Sequence, residues 1–321
     1  MRDITRLEKI EDLARHRGRL VFDLNGIDLD MNFLPAASDE AATLVIGFHG
    51  AIDRPNRPVP AFIPFLPDIG NEVHQLTIAD PSLRRDPDIS MAWFAGDVDF
   101  DSQKLLPPLF QSISHSLGVK RTIYFGTSGG GFAALYYSRQ HPGSLALVGN
   151  PQTRIADFYP RHIEAYLSCC WPGYNTIASL PEVIESDMVS LYSQSELNNF
   201  VVYLQNSTDS FHLFGHMAPF FSSIKNLGSR KRVASSCFFP GHLGHNPVWE
   251  MFLTWLRSAI VSQDWTAEKI IVNHHILISN EASSAEKNVA QKKSTGGNPS
   301  SGELQLANVL RDYHLCREAE Y

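Results

Sequence analysis

The sequence predicts an α/β protein with a mostly parallel central sheet flanked by helices. Two observations lead to this prediction. From residue 43 onward, short segments that are apolar almost throughout alternate with segments of helical spacing, and such segments are typical of strands buried on both faces of a parallel sheet. In addition, the 321 residues include 21 glycines and 19 prolines, which indicate many turns and argue against a helical bundle.

The alternation predicts six strands and three helices in order along the chain. The predicted strands cover residues 43–49, 72–78, 121–125, 144–148, 199–204 and 231–238. The predicted helices cover residues 102–117, 129–140 and 247–261, and the last begins with an Asn246 cap followed by Pro247. This order is typical of strands and helices packed in layers around one sheet.

The start of the chain carries two further patterns. Apolar residues recur there at a spacing of three, at Ile4, Leu7, Ile10 and Leu13. This spacing predicts an amphipathic helix over residues 1–17. Asn25-Gly26 suits a type I′ turn, because both central residues of that turn need a positive φ. Residues 20–33 are therefore predicted to form a β-hairpin.

Residues 151–198 interrupt the alternation of strands and helices. They contain six aromatic residues, separated by prolines and polar side chains: Phe158, Tyr159, Tyr166, Trp171, Tyr174 and Tyr192. Long inserted segments are often functional, so we interpret this one as a lid over the sheet.

The C-terminal part of the sequence changes in composition. We place the main domain at residues 1–280, with the insertion inside it. Residues 281–303 are rich in Ser, Lys, Gly and Asn and almost lack aliphatic side chains, which predicts a flexible linker. Helical spacing returns after it and predicts a short helix over residues 304–321.

Charge and cysteine content exclude several classes of function. The formal net charge of −7, with no long basic run, argues against a nucleic-acid-binding protein. Four cysteines without CxxC spacing indicate neither a disulfide framework nor a zinc ribbon. The N-terminus lacks the apolar segment of a secretory signal, and the apolar runs are far shorter than the ~20 residues that span a bilayer. The sequence therefore predicts a soluble, cytoplasmic protein.

The strongest chemical signal is Gly126-Thr127-Ser128-Gly129-Gly130, which has the pattern G-x-S-x-G. It follows a predicted strand and opens a predicted helix, as a nucleophile elbow requires. A serine in so sharp a turn has a strained backbone, and side chains at Gly126 and Gly130 would collide where strand meets helix. The serine hydroxyl lies at a helix N-terminus, whose dipole favours developing negative charge. Ser128 is therefore the predicted nucleophile.

This elbow and the upstream segment Ile46-Gly47-Phe48-His49-Gly50-Ala51 resemble the α/β-hydrolase superfamily, over about residues 43–261. The resemblance implies an α/β-hydrolase-like fold, with an oxyanion hole made by backbone N–H groups of the loop after such a strand and of the residue after the nucleophile. Those donors would be Ala51 and Gly129, with Gly50 or Ile52 as alternatives to Ala51. We interpret His49 as a residue that braces this loop.

The resemblance also implies an acid on the loop after the next-to-last strand. Asp209 lies there, within Gln205-Asn206-Ser207-Thr208-Asp209-Ser210, and it would fix the histidine tautomer and stabilise the imidazolium. Asp157, on the loop after the predicted strand 144–148, is the alternative acid, and Asp187 is a weaker one.

A histidine after the last strand would be the base. The segment Phe239-Pro240-Gly241-His242-Leu243-Gly244-His245-Asn246-Pro247 offers two. We choose His245 over His242, because Gly244-His245-Asn246-Pro247 has the G-H-x-P-like setting that is frequent in the superfamily. The glycines and prolines of this segment prevent a helical His pair, and no HExxH motif is present, so neither a metal nor another cofactor is predicted.

A closer resemblance rests on residues 126–135 and on Gly149-Asn150-Pro151-Gln152-Thr153. These segments look like those of a bacterial subgroup linked to capsule and surface-glycan biosynthesis and to glycosylated-adhesin export, which implies action on acyl esters of sugars. The doubled histidine and the lack of an HGGG-type run depart from the superfamily pattern.

Two functions follow as expectations. The first is a serine hydrolase (carboxylesterase) or acyltransferase that works through an acyl-enzyme, because the same triad serves both reactions. The alternative is a non-catalytic interaction subunit of a glycan-biosynthesis or export system on the same fold.

Overall fold

The computed structural model of the protein describes residues 4–38, 41–180, 184–239, 244–245 and 249–294. By its contacts the chain divides into two compact units, Met1–Trp249 and Glu250–Tyr321.

Nine strands form one sheet in the first unit. They are β1 (Thr5–Leu7), β2 (Gly18–Leu24), β3 (Ile27–Leu34), β4 (Thr43–Phe48), β5 (Val73–Ile78), β6 (Arg121–Thr127), β7 (Leu145–Gly149), β8 (Phe200–Asn206) and β9 (Val233–Phe238). Their order across the sheet is β1-β2-β3-β5-β4-β6-β7-β8-β9. All neighbours from β5 to β9 are parallel, whereas β3 is antiparallel to both β2 and β5. The prediction of a mostly parallel sheet is confirmed.

The central strands are buried because their side chains are apolar on both faces. Every residue of β4 and of β7 is buried. Each of the six strands predicted from apolar runs lies within about two residues of an observed strand. A run of apolar residues indicates burial on both faces of a strand, so the ends of these strands can be predicted from the ends of the apolar runs.

The predicted hairpin is also present, as β2 and β3. Asn25 and Gly26 connect the two strands with φ values of 56° and 84°. Both values are positive, as a type I′ turn requires. The Gly26 N–H donates a hydrogen bond to Oδ1 of Asp23 at 3.0 Å, which supports the turn.

The N-terminal helix predicted over residues 1–17 is wrong. The chain forms β1, which runs parallel to β2, and then a tight 3₁₀ turn over Ile10–Arg15. Leu7, Ile10 and Leu13 are buried. A spacing of three fits a 3₁₀ helix, which has three residues per turn, and the apolar residues here serve two short elements rather than one α-helix.

Seven α-helices are described in the first unit. They are α1 (Ser102–Ser116), α2 (Gly129–Arg139), α3 (Pro160–Cys170), α4 (Met188–Ser193), α5 (Ser210–His212), α6 (Ala218–Ser223) and α7 (Leu227–Arg230). A wider helical turn over Leu213–Met217 connects α5 to α6. The predicted helices 102–117 and 129–140 correspond to α1 and α2.

The insertion between β7 and β8 contains α3, α4 and two short 3₁₀ turns. Three of its aromatic residues, Tyr166, Trp171 and Tyr192, are buried. Tyr166 donates a hydrogen bond to the Gly96 carbonyl, and Tyr192 donates one to the Leu135 carbonyl, both at 2.9 Å. Much of the insertion is therefore part of the domain core, and its role as a lid stays a prediction.

Within the described part of the chain, the second unit contains α9 (Ala267–Ser294) and all of α8 (Trp249–Val261) except its first residue. The rings of Trp255 and His274 stack with centroids 3.8 Å apart, and Arg257 forms an ion pair with Glu281 at 2.9 Å. Among the described residues, no helix combines the length and the apolar character needed to cross a membrane.

Helix α9 continues through residues 281–294, where the sequence predicts the first part of a flexible linker. The domain boundary placed at residue 280 therefore falls inside a helix. Alanine, glutamate and lysine make up eight of these 14 residues, and all three are strong helix formers, so low apolar content did not prevent a helix. The rest of the predicted linker and the predicted helix over 304–321 lie outside the described residues.

The parallel strands place six loops at one edge of the sheet. The chain leaves β4, β5, β6, β7, β8 and β9 in the same direction, so the segments after residues 48, 78, 127, 149, 206 and 238 come together there. Sites of α/β proteins lie at this carboxyl edge of the strands. All the sequence-predicted site residues belong to five of these segments, those after β4, β6, β7, β8 and β9.

Candidate active site

Ser128 lies in the sharp turn between β6 and α2. Its φ of 55° and ψ of −123° form a conformation that costs a non-glycine residue on the order of 1–3 kcal/mol. The Ser128 N–H donates to the Gly149 carbonyl at 3.0 Å, and the Ser128 carbonyl accepts from the Gln152 N–H at 3.1 Å. The segment after β7 therefore holds the strained turn that places Ser128 at the N-terminus of α2.

Two glycines of the motif, Gly126 and Gly130, are required because other backbone atoms approach them closely. A Cβ on Gly126 would lie 2.2 Å from the Gly130 carbonyl oxygen, and a Cβ on Gly130 would lie 2.3 Å from the Phe48 carbonyl oxygen. At Gly129 the neighbour is a flexible side chain rather than backbone, since a Cβ there would lie 2.1 Å from the sulfur of Met91. Met91 and its neighbours thus lie directly over the start of α2.

The loop after β4 lies against the elbow. A Cβ on Gly50 would be 3.4 Å from Cβ of Ser128 and 3.9 Å from the backbone nitrogen of Gly129. The Ile52 N–H donates to the Ser90 carbonyl at 2.9 Å, so Ile52 is unsuited to be an oxyanion donor. Ala51 is exposed. Ala51 and Gly50 are the remaining candidates from this loop for an oxyanion donor. Gly129, at the start of α2, is the other predicted donor.

His49 contacts the backbone with both of its ring nitrogens. Nδ1 lies 2.8 Å from the Gly50 carbonyl oxygen, and Nε2 accepts a hydrogen bond from the Asp80 N–H at 3.3 Å. These partners require the proton on Nδ1 of a neutral ring. Burial lowers the pKa of His49 to about 4, so the ring stays neutral near pH 7. His49 has the contacts of a residue that braces the loop.

Asp209 follows β8 and His245 follows β9. Nδ1 of His245 lies 2.5 Å from Oδ2 of Asp209. Oδ1 of Asp209 accepts a hydrogen bond from the His212 N–H at 3.2 Å, which caps α5. Because Nδ1 of His245 faces the carboxylate, Nε2 is left to exchange a proton with a reacting group. The His245 side chain is 43% exposed and can therefore meet a substrate.

A second histidine, which the sequence analysis missed as part of this site, shares the same carboxylate. Nδ1 of His212 lies 2.8 Å from Oδ2 of Asp209, although without the alignment of a hydrogen bond. Its ring stacks on that of His245, with centroids 4.2 Å apart. The His212 side chain is only 5% exposed, and burial lowers its pKa. The spacing of three between Asp209 and His212 at a helix start is the signal that indicates this contact.

The two histidines hold Asp209 in its ionised form. Burial alone would raise the pKa of Asp209, but the side chains of His212 and His245 together outweigh it. The pKa of this carboxyl group therefore lies below its ordinary value. An ionised carboxylate next to Nδ1 of His245 fixes the tautomer that a general base requires.

Two buried asparagines hold the loop that carries His245. Nδ2 of Asn206 donates to the Gly244 carbonyl at 2.5 Å, and Nδ2 of Asn150 donates to the His245 carbonyl at 3.3 Å. The Asn206 N–H in turn donates to Oδ1 of Asn150 at 2.7 Å. Asn150 directly follows Gly149, which binds Ser128. The segment after β7 therefore supports both the proposed nucleophile and the proposed base.

A buried glutamine in the same segment contacts Ser128, and no sequence motif predicts a role for it. Nε2 of Gln152 donates to Oγ of Ser128 at 3.1 Å. Oε1 of Gln152 accepts a hydrogen bond from the indole N–H of Trp93. Both Gln152 and Trp93 are buried.

The two alternative acids, Asp157 and Asp187, pair with Arg154 rather than with a histidine. Asp157 and Asp187 each form an ion pair with Arg154 at 3.3 Å. Asp187 also caps α4 by accepting from the Ser190 N–H at 3.0 Å. Asp209 is thus the candidate acid that the structure brings to His245, and the alternative base His242 lies outside the described residues.

Three of these side chains could also hold a cation. One ligand atom each from Asp209, His212 and His245 lies within 4.8 Å of the others. Histidine and carboxylate ligands suit Zn²⁺. A metal bound by the Asp209 carboxylate would compete with the contact between that carboxylate and Nδ1 of His245. The absence of a functional metal stays a prediction.

No protein-family model and no curated protein sequence matches the chain. Solved structures share its fold. The capsule O-acetyltransferase of Neisseria meningitidis serogroup A is 15% identical with a TM-score of 0.52, over 75% of this chain and 94% of that chain. A variant of that enzyme in complex with CoA gives the same values.

A second enzyme with the same fold is the acylaminoacyl peptidase of Pyrococcus horikoshii. It is 12% identical with a TM-score of 0.54, over 79% of this chain, which spans 44% of that longer protein. These likenesses show the fold of the chain, which is the α/β-hydrolase fold that the sequence resemblance implies.

Proposed function

We propose that this protein is a serine hydrolase or acyltransferase that moves an acyl group through an acyl-enzyme on Ser128. One observation carries most of the proposal. The segment 149–152 binds the strained Ser128 turn on one side and the loop of His245 on the other, while His245 contacts Asp209 at 2.5 Å. A nucleophile, a base and an ionised acid therefore lie at one edge of the sheet, which is the arrangement that acyl transfer needs.

The first half of the reaction acylates Ser128. Oγ attacks the acyl carbonyl carbon, and its proton passes to Nε2 of His245. The backbone N–H groups of Gly129 and Ala51 hold the oxyanion that forms. The bond to the leaving group then breaks, and His245 returns the proton to the leaving oxygen or sulfur. Asp209 stays ionised throughout and stabilises the imidazolium.

The second half releases the acyl group. A hydroxyl of water or of an acceptor binds where the leaving group was and gives its proton to His245 as its oxygen attacks the acyl carbon. Oγ of Ser128 leaves and recovers the proton. Hydrolysis and transfer differ in which hydroxyl is admitted, so the triad serves both.

The proposed substrates are acyl esters of sugars, with acetyl as the first group to test. The sequence resemblance to a surface-glycan subgroup supports this class, and so does the fold shared with a capsule O-acetyltransferase that has been solved with CoA. Three aromatic rings, Phe158, Tyr159 and Phe211, also pack together beside Trp93, with Tyr159 stacked on Phe211 at 4.8 Å. Tyr159 is exposed, and its ring suits the apolar face of a sugar.

Two assays test the proposal. Release of p-nitrophenol from p-nitrophenyl acetate measures ester hydrolysis, and release of CoA thiol from acetyl-CoA is followed with and without free hexoses and N-acetylhexosamines. Ser128→Ala should abolish both, while Ser116→Ala, at the end of α1, should match the wild type. An acetylated sugar detected by mass would define a transferase. A folded wild-type protein that shows no turnover and no labelling by a fluorophosphonate probe would favour the non-catalytic interaction subunit instead.

A further inference from the structure

The side chain of Gln152 is placed to act on the proposed nucleophile. Its Nε2 atom lies 3.1 Å from Oγ of Ser128, and no part of the residue is exposed to solvent. Gln152 also donates its backbone N–H to the Ser128 carbonyl. It therefore binds Ser128 through both its main chain and its side chain.

The orientation of the Gln152 amide follows from Trp93. The indole N–H is a donor only, so the group that it meets must be the amide oxygen, Oε1. The NH₂ group must then be the one that faces Ser128. Gln152 is for this reason a donor to Oγ, and its flipped orientation, with the amide oxygen toward Ser128, would set two N–H donors against each other at Trp93.

Trp93 is itself held in an unusual conformation. Trp93 and Phe94 have φ values of 56° and 53°, which are rare for large side chains and costly. The Phe94 N–H donates to Oδ2 of the buried Asp80 at 2.7 Å, and the Phe94 carbonyl accepts from the Tyr137 hydroxyl at 2.6 Å. These two bonds stabilise a strained segment that delivers the indole N–H to Gln152.

We propose that Gln152 is a further catalytic residue of the acyl-transfer site and that Trp93 is its positioning residue. The proposal rests on the function proposed above. Because Oγ of Ser128 accepts from Gln152, its own hydrogen remains to be given to the proposed base, His245. As the proton moves to His245, Oγ gains negative charge, and the Gln152 bond strengthens because charged acceptors bind N–H donors more tightly. The same bond assists when Oγ leaves in the second half-reaction.

Gln152→Met tests the donor with little change in side-chain length. We expect kcat and kcat/KM on p-nitrophenyl acetate to fall about 10- to 100-fold with KM nearly unchanged, since a hydrogen bond to a charged group is lost in the transition state. The second-order rate of labelling by a fluorophosphonate probe should fall by a similar factor. Gln75→Met is the matched control, because Gln75 is a buried glutamine that binds only the Leu66 backbone among the described contacts. It should label at the wild-type rate.

Trp93→Phe keeps an aromatic ring and removes the indole N–H. The freed amide of Gln152 can then rotate away, so we expect a smaller loss of about three- to tenfold. If Trp93 acts through Gln152, Trp93→Phe should have no further kinetic effect in the Gln152→Met background. A role in folding alone would leave the two effects multiplicative. Trp93→Phe also tests the donor if Gln152→Met does not fold.

The outcomes separate this proposal from the function on which it rests. Absence of labelling in the folded wild-type protein would overturn the proposed function and this inference with it. Labelling of the wild type together with an equal rate for folded Gln152→Met would overturn the role of Gln152 and leave the triad standing. If Gln152→Met is labelled slowly but the effects of Gln152→Met and Trp93→Phe multiply in the double variant, the role of Trp93 would be overturned.

Discussion

Nδ1 of His245 lies 2.5 Å from Oδ2 of Asp209, on loops that follow two adjacent parallel strands. The carboxylate is buried and the imidazole is partly exposed. The contact therefore fixes the ring through Nδ1, and Nε2 is the nitrogen that remains to meet a substrate. Three of the predictions below depend on this asymmetry.

Asp209→Asn should lower kcat on an acetyl ester by roughly 10³- to 10⁴-fold. The asparagine is neutral and can donate to Nδ1, so it favours the wrong tautomer and does not stabilise the imidazolium. Asp157→Asn is the matched control, because Asp157 pairs with Arg154, and its activity should stay near that of the wild type. Steady-state kinetics of both variants measure the effect. A larger defect in Asp157→Asn would reassign the acid.

His245→Ala should be far more damaging than His242→Ala. Loss of a base that works as a unit with its nucleophile costs on the order of 10⁴–10⁶ in kcat. His242 is not expected to meet Asp209, so its loss should cost tenfold or less, about 1.4 kcal/mol of transition-state stabilisation. His212→Gln tests the second histidine at the carboxylate and should lie between the two. Values of kcat/KM for the three variants decide the order, and a greater defect in His242→Ala would reverse the assignment.

Stability should fall as the pH is lowered from about 7 to about 4. Burial lowers the pKa of His49 to about 4 and that of His216 to about 3, against an ordinary value of 6.5. The unfolded chain thus takes up protons on these rings near pH 6.5 while the folded chain does not. Each ring contributes stability that is complete above pH 6.5 and is lost as the pH falls toward its folded pKa, by up to about 1.4 kcal/mol per pH unit.

The variant His49→Gln isolates the contribution of one histidine to the dependence of stability on pH. Its thermal midpoint should fall less steeply between pH 6.5 and pH 4 than the midpoint of the wild type. His115→Gln, at an exposed position on α1, should retain the wild-type slope. Asp80 acts in the opposite direction, since burial raises its pKa to about 7 and its contribution is lost as the pH rises from about 4 to 7. Parallel slopes for wild type and His49→Gln would contradict a neutral, buried His49.

Chelation should not reduce the activity. The proposed reaction uses backbone N–H groups for the oxyanion and a histidine for proton transfer, so it leaves no step for a metal. Zn²⁺ added in excess should inhibit, because Asp209, His212 and His245 offer it three ligand atoms and binding would separate the acid from the base. Turnover is measured after treatment with EDTA and again after adding zinc. Loss of activity with EDTA and its return with zinc would favour a metalloenzyme.

The central sheet and the elbow are predictable because their signals are local. A run of apolar residues predicts a strand buried on both faces. Gly126 and Gly130 indicate that strand and helix pass close to each other within a few consecutive residues. The hairpin is predictable for the same reason, since Asn25-Gly26 specifies its turn. In each case the chemistry that selects the structure lies within one short segment.

The rest depends on contacts between distant residues. Trp93 and Gln152 are 59 positions apart, and neither belongs to a motif that predicts their hydrogen bond. His212 reaches Asp209 because α5 begins at the cap that Asp209 itself forms. The Ile52 N–H is removed as an oxyanion donor by Ser90, which lies on another loop. Such pairings are set by how loops pack at the sheet edge, and a single sequence carries little trace of that packing.

The site at which a fluorophosphonate binds tests the role of Ser128 as the nucleophile. The folded wild-type protein is treated with the probe, and the adduct is located by intact mass and peptide mapping, with Ser128→Ala treated in parallel. We expect one adduct per chain, on the peptide that contains Ser128, and none in the variant. An unlabelled wild-type protein, or an adduct that persists in folded Ser128→Ala, would contradict the assignment of Ser128 as the nucleophile.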